Sequence, residues 1–228
     1  MELTIEQRLA IVRENMDKAG GGREIRLVGV AKTKPAELVR RAIAAGLDTV
    51  GENYVQEFRD KSAQGAYAGA EVHIIGHLQK NKAKYIVGKV ELIQSVDSLE
   101  LMEIISRRAG MLDAVQDVLL EVNIGREPGK SGVSPEELEE LLCRAGSLPG
   151  LRVRGLMAIP PAENSAAYFA RMNQLYIDNK EKKYDNVSMD FLSMGMSDDY
   201  IDAIREGANM IRVGSYLFGA RNYAVQGG

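Results

Sequence analysis

Short apolar runs alternate along this chain with longer stretches in which apolar residues return at every third or fourth position. Ile5, Leu9, Val12 and Met16 share one helical face, and Thr4-Ile5-Glu6-Gln7 has the spacing of a capping box, so a helix is predicted over residues 4–18. Gly20-Gly21-Gly22 ends it. Leu27-Val28-Gly29-Val30-Ala31 is a continuous apolar run, the mark of a strand buried on both faces, and it closes on Lys32. Pro35 suits the first turn of a helix over residues 35–45, with Gly46 just past its end.

The same alternation then repeats. Strands are predicted over residues 47–51, 72–76, 92–96, 115–122, 151–157, 189–192 and 210–213. Helices are predicted over residues 53–63, from about 81, over 98–109, after a Ser134-Pro135-Glu136-Glu137 cap, over 162–179 and over 198–205. About eight strands, each followed by a helix or a helix-like turn, give an α/β protein. The expected architecture is a single (β/α)8 TIM-like barrel with an extra N-terminal helix. No Gly- or Pro-rich linker splits the chain, so residues 1–228 are read as one domain. An open doubly wound sheet would need a glycine fingerprint after its first strand, and Ala31-Lys32-Thr33-Lys34 does not supply one.

Composition narrows the function. The chain has 228 residues, 45% hydrophobic and 27% charged, with a net charge of −3, so no electrostatic footprint argues for nucleic acid. Its single cysteine, Cys143, allows no internal disulfide, and with His73 and His77 it makes a poor zinc ligand set. No apolar run approaches the length of a membrane span, and Met1-Glu2-Leu3-Thr4 lacks the features of a signal peptide. A cytoplasmic protein is expected, without a metal and without a membrane or nucleic-acid partner.

In such a barrel the chemistry sits at the carboxyl ends of the strands. Lys32 ends the first. Beside apolar neighbours it has a reason to lose its proton, and a neutral amine attacks carbonyls; the competing reading is a lysine that snorkels into solvent. Asn53 ends the second strand, either as a ligand contact or as a helix cap with Gln56. His77 ends the third and reads as structural. Ser193-Met194-Gly195-Met196-Ser197 follows the seventh strand, with small residues whose amides can converge on an anion, or with Ser197 as a simple cap. Asp198 and Asp199 oppose an anion there unless they point away. Arg212 and Gly214 share a face at the end of the eighth strand, with Ser215 beside them; an inward arginine needs an anion or a ring nitrogen as partner. A nucleophilic lysine facing a phosphate cradle suits a phosphorylated aldehyde, and pyridoxal 5'-phosphate is the commonest such cofactor.

These stretches carry a resemblance. Val30-Ala31-Lys32-Thr33-Lys34-Pro35, Gly51-Glu52-Asn53-Tyr54-Val55-Gln56-Glu57, Ile75-Gly76-His77-Leu78-Gln79, Val96-Asp97-Ser98, Lys130-Ser131-Gly132, Gly155-Leu156-Met157, Leu192-Ser193-Met194-Gly195-Met196-Ser197 and Arg212-Val213-Gly214 are similar to the pyridoxal phosphate homeostasis proteins. That family's barrel resembles the barrel of alanine racemases. Val72 departs from the pattern, where an aromatic residue is common before the His73 position. The resemblance implies that Lys32 holds pyridoxal 5'-phosphate as an aldimine and that Ser193, Gly195, Gly214 and Ser215 surround the phosphate. It also implies that Arg212 faces the pyridine nitrogen and that Asn53 lies beside the ring.

The function expected is a carrier that buffers the cofactor intracellularly, with apoenzymes that require it as possible partners. A monomer is expected. The alternative is a racemase-like enzyme, which needs a base on each face of the reacting carbon where Lys32 supplies one. A Schiff-base aldolase is a third class, separable by the absence of a yellow cofactor. Lys34 and Lys130 lie near the expected mouth as candidates to assist cofactor exchange, or as ordinary solvated lysines.

Overall fold

A computed structural model of the protein describes residues 3–219; the expected domain range of 1–228 extends beyond the described residues at both ends. Among these residues eight parallel strands close into a barrel in chain order. They are β1 (Arg26–Val30), β2 (Thr49–Glu52), β3 (Glu71–Ile74), β4 (Leu92–Val96), β5 (Gln116–Glu121), β6 (Leu151–Met157), β7 (Val187–Ser193) and β8 (Met210–Val213). The closure is made by β1 on β8, where Val28 pairs with Arg212 and Gly29 with Val213. The (β/α)8 expectation holds.

The helices are α1 (Ile5–Gly20), α2 (Ala36–Ala44), α3 (Val55–Ala63), α4 (Leu99–Gly110), α5 (Leu138–Ala145), α6 (Ser165–Lys180), α7 (Tyr200–Arg205) and α8 (Ser215–Phe218). α1 is the extra N-terminal helix. Its capping box forms, with Thr4 accepting from the Gln7 amide and Gln7 returning a bond to the Thr4 amide. It packs on α7 and α8, and Asn15 donates to the Tyr200 hydroxyl at 2.9 Å.

Strand alternation builds two cores. Val28, Ile75, Leu92, Leu119, Met157 and Met210 fill the barrel, while Leu27, Val50, Ile74, Leu120, Leu156 and Ile211 face the helices. The same alternation turns Glu121, Ser193 and Arg212, near the ends of β5, β7 and β8, toward the barrel axis at the upper end, and carried past the ends of β1 and β2 it does the same for Lys32 and Asn53.

Several boundaries differ from expectation. The segment after β3 is a 3₁₀ turn, Lys80–Tyr85, instead of a full helix. Its Lys82 and Lys84 sit over the Tyr85 ring, and three lysines in six residues leave little apolar surface for a longer helix to bury. Ser134 and Glu137 bond to each other as a cap pair, but α5 begins only at Leu138. α3 starts at Val55 with Tyr54 at its cap, so the side chain of Asn53 is not spent on capping.

Among the described residues no helix is long and apolar enough to cross a membrane, and no cluster of side chains could hold a metal ion.

Candidate functional site

Beneath the first strand end lies a buried ionic network. Lys61, on α3, donates to the Ala31 carbonyl at 2.7 Å, to Glu52 Oε1 at 2.7 Å and to Glu57 Oε2 at 3.1 Å. Tyr67 adds a hydroxyl bond to Glu52 Oε1, and Glu57 accepts from the Thr33 amide at 2.7 Å. The two residues flanking Lys32 are therefore anchored from below, and Thr33 is held at a φ of 62°. Lys32 itself is half-buried, one residue past Ala31, whose amide still bonds across to the Gly51 carbonyl.

Lys32 lines a cavity of about 280 Å³ at the carboxyl end of the barrel, together with Lys34, Asn53, Arg212, Gly214 and Ser215. Apolar walls come from Val30, Ile75 and Ile159. Asn53 Oδ1 is buried and has no hydrogen-bond partner among the described residues. A buried acceptor left so is costly unless a ligand donor completes it. Lys34 donates to the Gly219 carbonyl at 2.9 Å, and burial, with the nearby Arg8 charge, pushes its amine down.

Arg212 is almost fully buried and is held by hydrogen bonds from Nη1 to Ser193 Oγ at 2.6 Å and from Nη2 to the Ala158 carbonyl at 2.9 Å. Its other three N–H groups have no partner among the described residues. Burial pushes its pKa down to about 10, against the pull of the Glu121 and Asp199 carboxylates, so it remains a cation at neutral pH. Below it a polar chain descends the barrel. Ser193 donates to Gln94 Oε1 at 2.7 Å, and Gln94 Nε2 meets His73 Nδ1 at 2.9 Å. With the Gln94 oxygen turned to Ser193, its amide nitrogen donates to His73 Nδ1, and the neutral ring carries its hydrogen on Nε2.

The loops after β7 and β8 are joined by one hydroxyl. Ser197 Oγ accepts from the Gly214 amide at 3.2 Å and the Tyr216 amide at 3.4 Å, so it caps α8 and not α7, as a simple cap reading would have it. Asp199 bends back onto the Met196 amide at 2.6 Å. Gly214 packs closely on β1, where a Cβ would lie 3.1 Å from Val30 Cβ. Gly195, at φ +90°, passes close to α7, where a Cβ would lie 2.5 Å from that of Ala203.

Of the seven residues singled out from the sequence, Lys32, Asn53, Arg212, Gly214 and Ser215 meet in this cavity. Ser193 and Gly195 are not among its lining: the Ser193 hydroxyl lies in the barrel interior between Arg212 and Gln94, because β7 alternation turns it inward. His77 is largely exposed, with Nδ1 3.2 Å from Asp97 Oδ2 and 3.2 Å from Ser131 Oγ.

Sequence reasoning missed Lys61, Gln94 and Glu121. Glu121 ends β5 and is 7% exposed, and no hydrogen bond or ion pair reaches its carboxylate among the described residues. Burial, and the neighbouring Asp97 charge, push it up to about 7, while Arg212 and His77 pull it down. The available signal was an acid in phase with inward-facing Leu119 at the end of an apolar strand.

Two larger cavities, of about 620 and 570 Å³, open at the other end of the barrel around the strand starts. Their charged side chains are mostly tied to one another, as in Arg154 with Asp117 at 2.6 Å, and neither has a lysine at a strand end.

Comparison with known proteins agrees with this geometry. The alanine racemase N-terminal domain family matches residues 4–222. A pyridoxal phosphate homeostasis protein of Aquifex aeolicus is 44% identical, over 95% of this chain and 98% of that one. One of Pseudomonas aeruginosa is 43% identical, over 97% of this chain and 98% of that one. The solved structure of PipY from Synechococcus elongatus with PLP bound superposes with a TM-score of 0.85 at 35% identity, covering 95% of this chain and all of that one. An alanine racemase from Clostridium difficile shares the fold, at a TM-score of 0.73 and 16% identity, with 96% of this chain covering 57% of its own.

Proposed function

This chain belongs to the alanine racemase N-terminal domain family and, within it, to the pyridoxal phosphate homeostasis proteins, and from that membership we propose that it binds pyridoxal 5'-phosphate at Lys32 and carries it within the cell. The observation that carries the reading is the convergence in one cavity of a lysine amine, a buried acceptor without a donor and a buried guanidinium with free N–H groups. Each suits one part of the cofactor. Asn53 Oδ1 can take the hydrogen of a ring hydroxyl, Arg212 can donate to a ring nitrogen, and the Gly214–Ser215 backbone offers an approach for a phosphate. Ser193 supports Arg212 from below, and Gly195 gives the loop its close path past α7.

The cofactor, when bound, supplies an aldehyde that a primary amine captures. Lys32 is the capturing amine in this reading, held on anchored backbone at the wall of the cavity. Lys34 is tied to Gly219 and serves the rim. A cationic Arg212 at the ring nitrogen keeps that nitrogen unprotonated and the ring a poor electron sink, which favours a carrier over an amino-acid racemase. The partners are apoenzymes that need the cofactor, the compartment is the cytoplasm where they work, and the carrier acts as a monomer.

The test is a spectrum of the purified protein, followed by borohydride reduction and peptide mapping. A visible band and an adduct on Lys32 are expected, with activity restored to a cofactor-free enzyme on mixing. A colourless protein that takes up no pyridoxal phosphate removes the reading, and an adduct on Lys34 reassigns the amine.

A further inference from the structure

Beside the Lys32 cavity lies a second chamber of about 360 Å³. The two share Asn53, Ile75 and Ile159 as a common wall. Glu121 forms part of the second chamber's lining; the residue is only 7% exposed, and its carboxylate takes no hydrogen bond among the described residues. An ionised carboxylate in that position is costly unless a cation joins it. Arg212 influences it electrostatically from β8 but directs its hydrogen bonds to Ser193 and Ala158. The rim has the opposite character. Lys130 and Ser131, from the loop after β5, and His77, from the loop after β3, supply donors there. Lys130 pairs with Glu127 at 2.6 Å, and with both side chains well exposed an ion pair of this kind is weak enough to change partners.

We propose that this chamber binds a free α-amino acid, its ammonium against the Glu121 carboxylate and its carboxylate at the Lys130 and Ser131 rim. An inner anion and an outer cation across a small cavity match a zwitterion and exclude a plain anion. The proposal rests on the reading of the adjoining cavity as the cofactor site for its consequence, but not for the binding itself. Glu121 also takes a proton from the bound ammonium: one N–H bond breaks, one O–H bond forms on the carboxylate, and a neutral amine remains beside the Lys32 cavity. A carboxyl group pushed up to about 7 is ionised often enough to attract the ammonium and basic enough to accept from it. Three charges face it from the neighbouring elements. Asp97, after β4, raises its proton affinity, and Arg212 and His77 lower it. A neutral amine is the form that competes with Lys32 for an aldehyde, so the chamber links amino-acid supply to cofactor release.

The experiment is a calorimetric titration of the whole protein, freed of cofactor, with L-alanine, propylamine and propionate. L-alanine is expected to bind at millimolar concentration, propylamine more weakly and propionate not at all. Glu121→Gln should weaken L-alanine by about tenfold or more, as loss of a buried charge partner does. The wild-type affinity should rise with pH through about 7 as Glu121 ionises, and Glu121→Gln should lack that rise. Lys130→Ala should weaken L-alanine and leave propylamine unchanged. Melting temperature reports folding, and Glu121→Asp, which keeps the charge, should retain part of the affinity. No binding of L-alanine to the wild type, or unchanged binding in a folded Glu121→Gln, overturns the proposal. Uptake of pyridoxal phosphate is measured separately: normal uptake without amino-acid binding removes the chamber alone, and failed uptake with amino-acid binding removes the carrier reading alone.

Discussion

At the strand-start end of the barrel Arg154 reaches both Asp117 and Asp190, Arg152 joins Asp117 at 2.7 Å, and Arg26 pairs with Glu71. The guanidinium groups of Arg26 and Arg154 each lie over the Phe191 ring, at 5.3 and 5.5 Å from its centroid. At the strand-finish end Asn53 Oδ1 and the Glu121 carboxylate have no such partners among the described residues. Both ends are made by the same eight strands, so the difference comes from the side chains alone. The lower end spends most of its polar groups on stability; among the described residues His73 Nε2, 3.7 Å from Glu71, and Arg108 Nε and Asn179 Oδ1, in the last turns of α4 and α6, are buried without a hydrogen-bond partner. The upper end withholds Asn53 Oδ1 and the Glu121 carboxylate, and a polar atom withheld from the protein is one offered to a ligand.

The sharpest way to break this comparison is to exchange the ends. Lys32→Ala should abolish the visible band of bound cofactor and leave a folded protein, while Arg154→Ala should keep the band. Absorbance after dialysis against pyridoxal phosphate reads both, and a lost band in Arg154→Ala would contradict the division.

Next in size is Glu121→Gln. The folded pKa of about 7 lies above the ordinary 4.5, so the folded state holds that proton more tightly than the unfolded chain. The wild type therefore loses stability from this group as pH rises from about 4.5 to 7, by up to about 3 kcal/mol. Glu121→Gln lacks that loss, so its advantage in urea denaturation should be small at pH 4, grow through pH 7 and then level off.

Arg212→Gln removes two buried hydrogen bonds to a charged donor and should cost about 2 kcal/mol by the same measurement. It should also shift the pH dependence of the cofactor spectrum. The smallest effect belongs to the lower end. Arg154→Ala should cost about 1 kcal/mol, falling with added salt, because its side chain is 28% exposed and its partners stay hydrated.

The barrel was legible in the sequence because each parallel strand is an apolar run and each helix an apolar stripe, two periods that do not resemble one another. Lys32 was legible because its strand ends on it. Other positions were hidden for particular reasons. Ser193 and Gly195 sit in a small-residue loop that promises an anion cradle, yet only the register of β7 shows that the hydroxyl turns inward to Arg212. Asn53 has capping spacing with Gln56, and only the start of α3 at Val55 shows the side chain to be spare. Lys61 reads as one more helix-face lysine until α3 packs it under Ala31. Glu121 is a single acid after apolar residues, and nothing local says which charges surround it.

The polar chain from Arg212 through Ser193 and Gln94 to His73 runs in a single direction, each group accepting from the one above. Such a chain limits how the sequence can drift. Exchanging Ser193 for alanine strands the Gln94 oxygen and an Arg212 N–H together, and exchanging Gln94 for leucine strands Ser193 and His73 together. Single steps away from this arrangement are penalised even when a fourfold replacement by apolar residues would pack as well. In divergent descendants of this chain the four positions are expected to be inherited as a block or lost as a block.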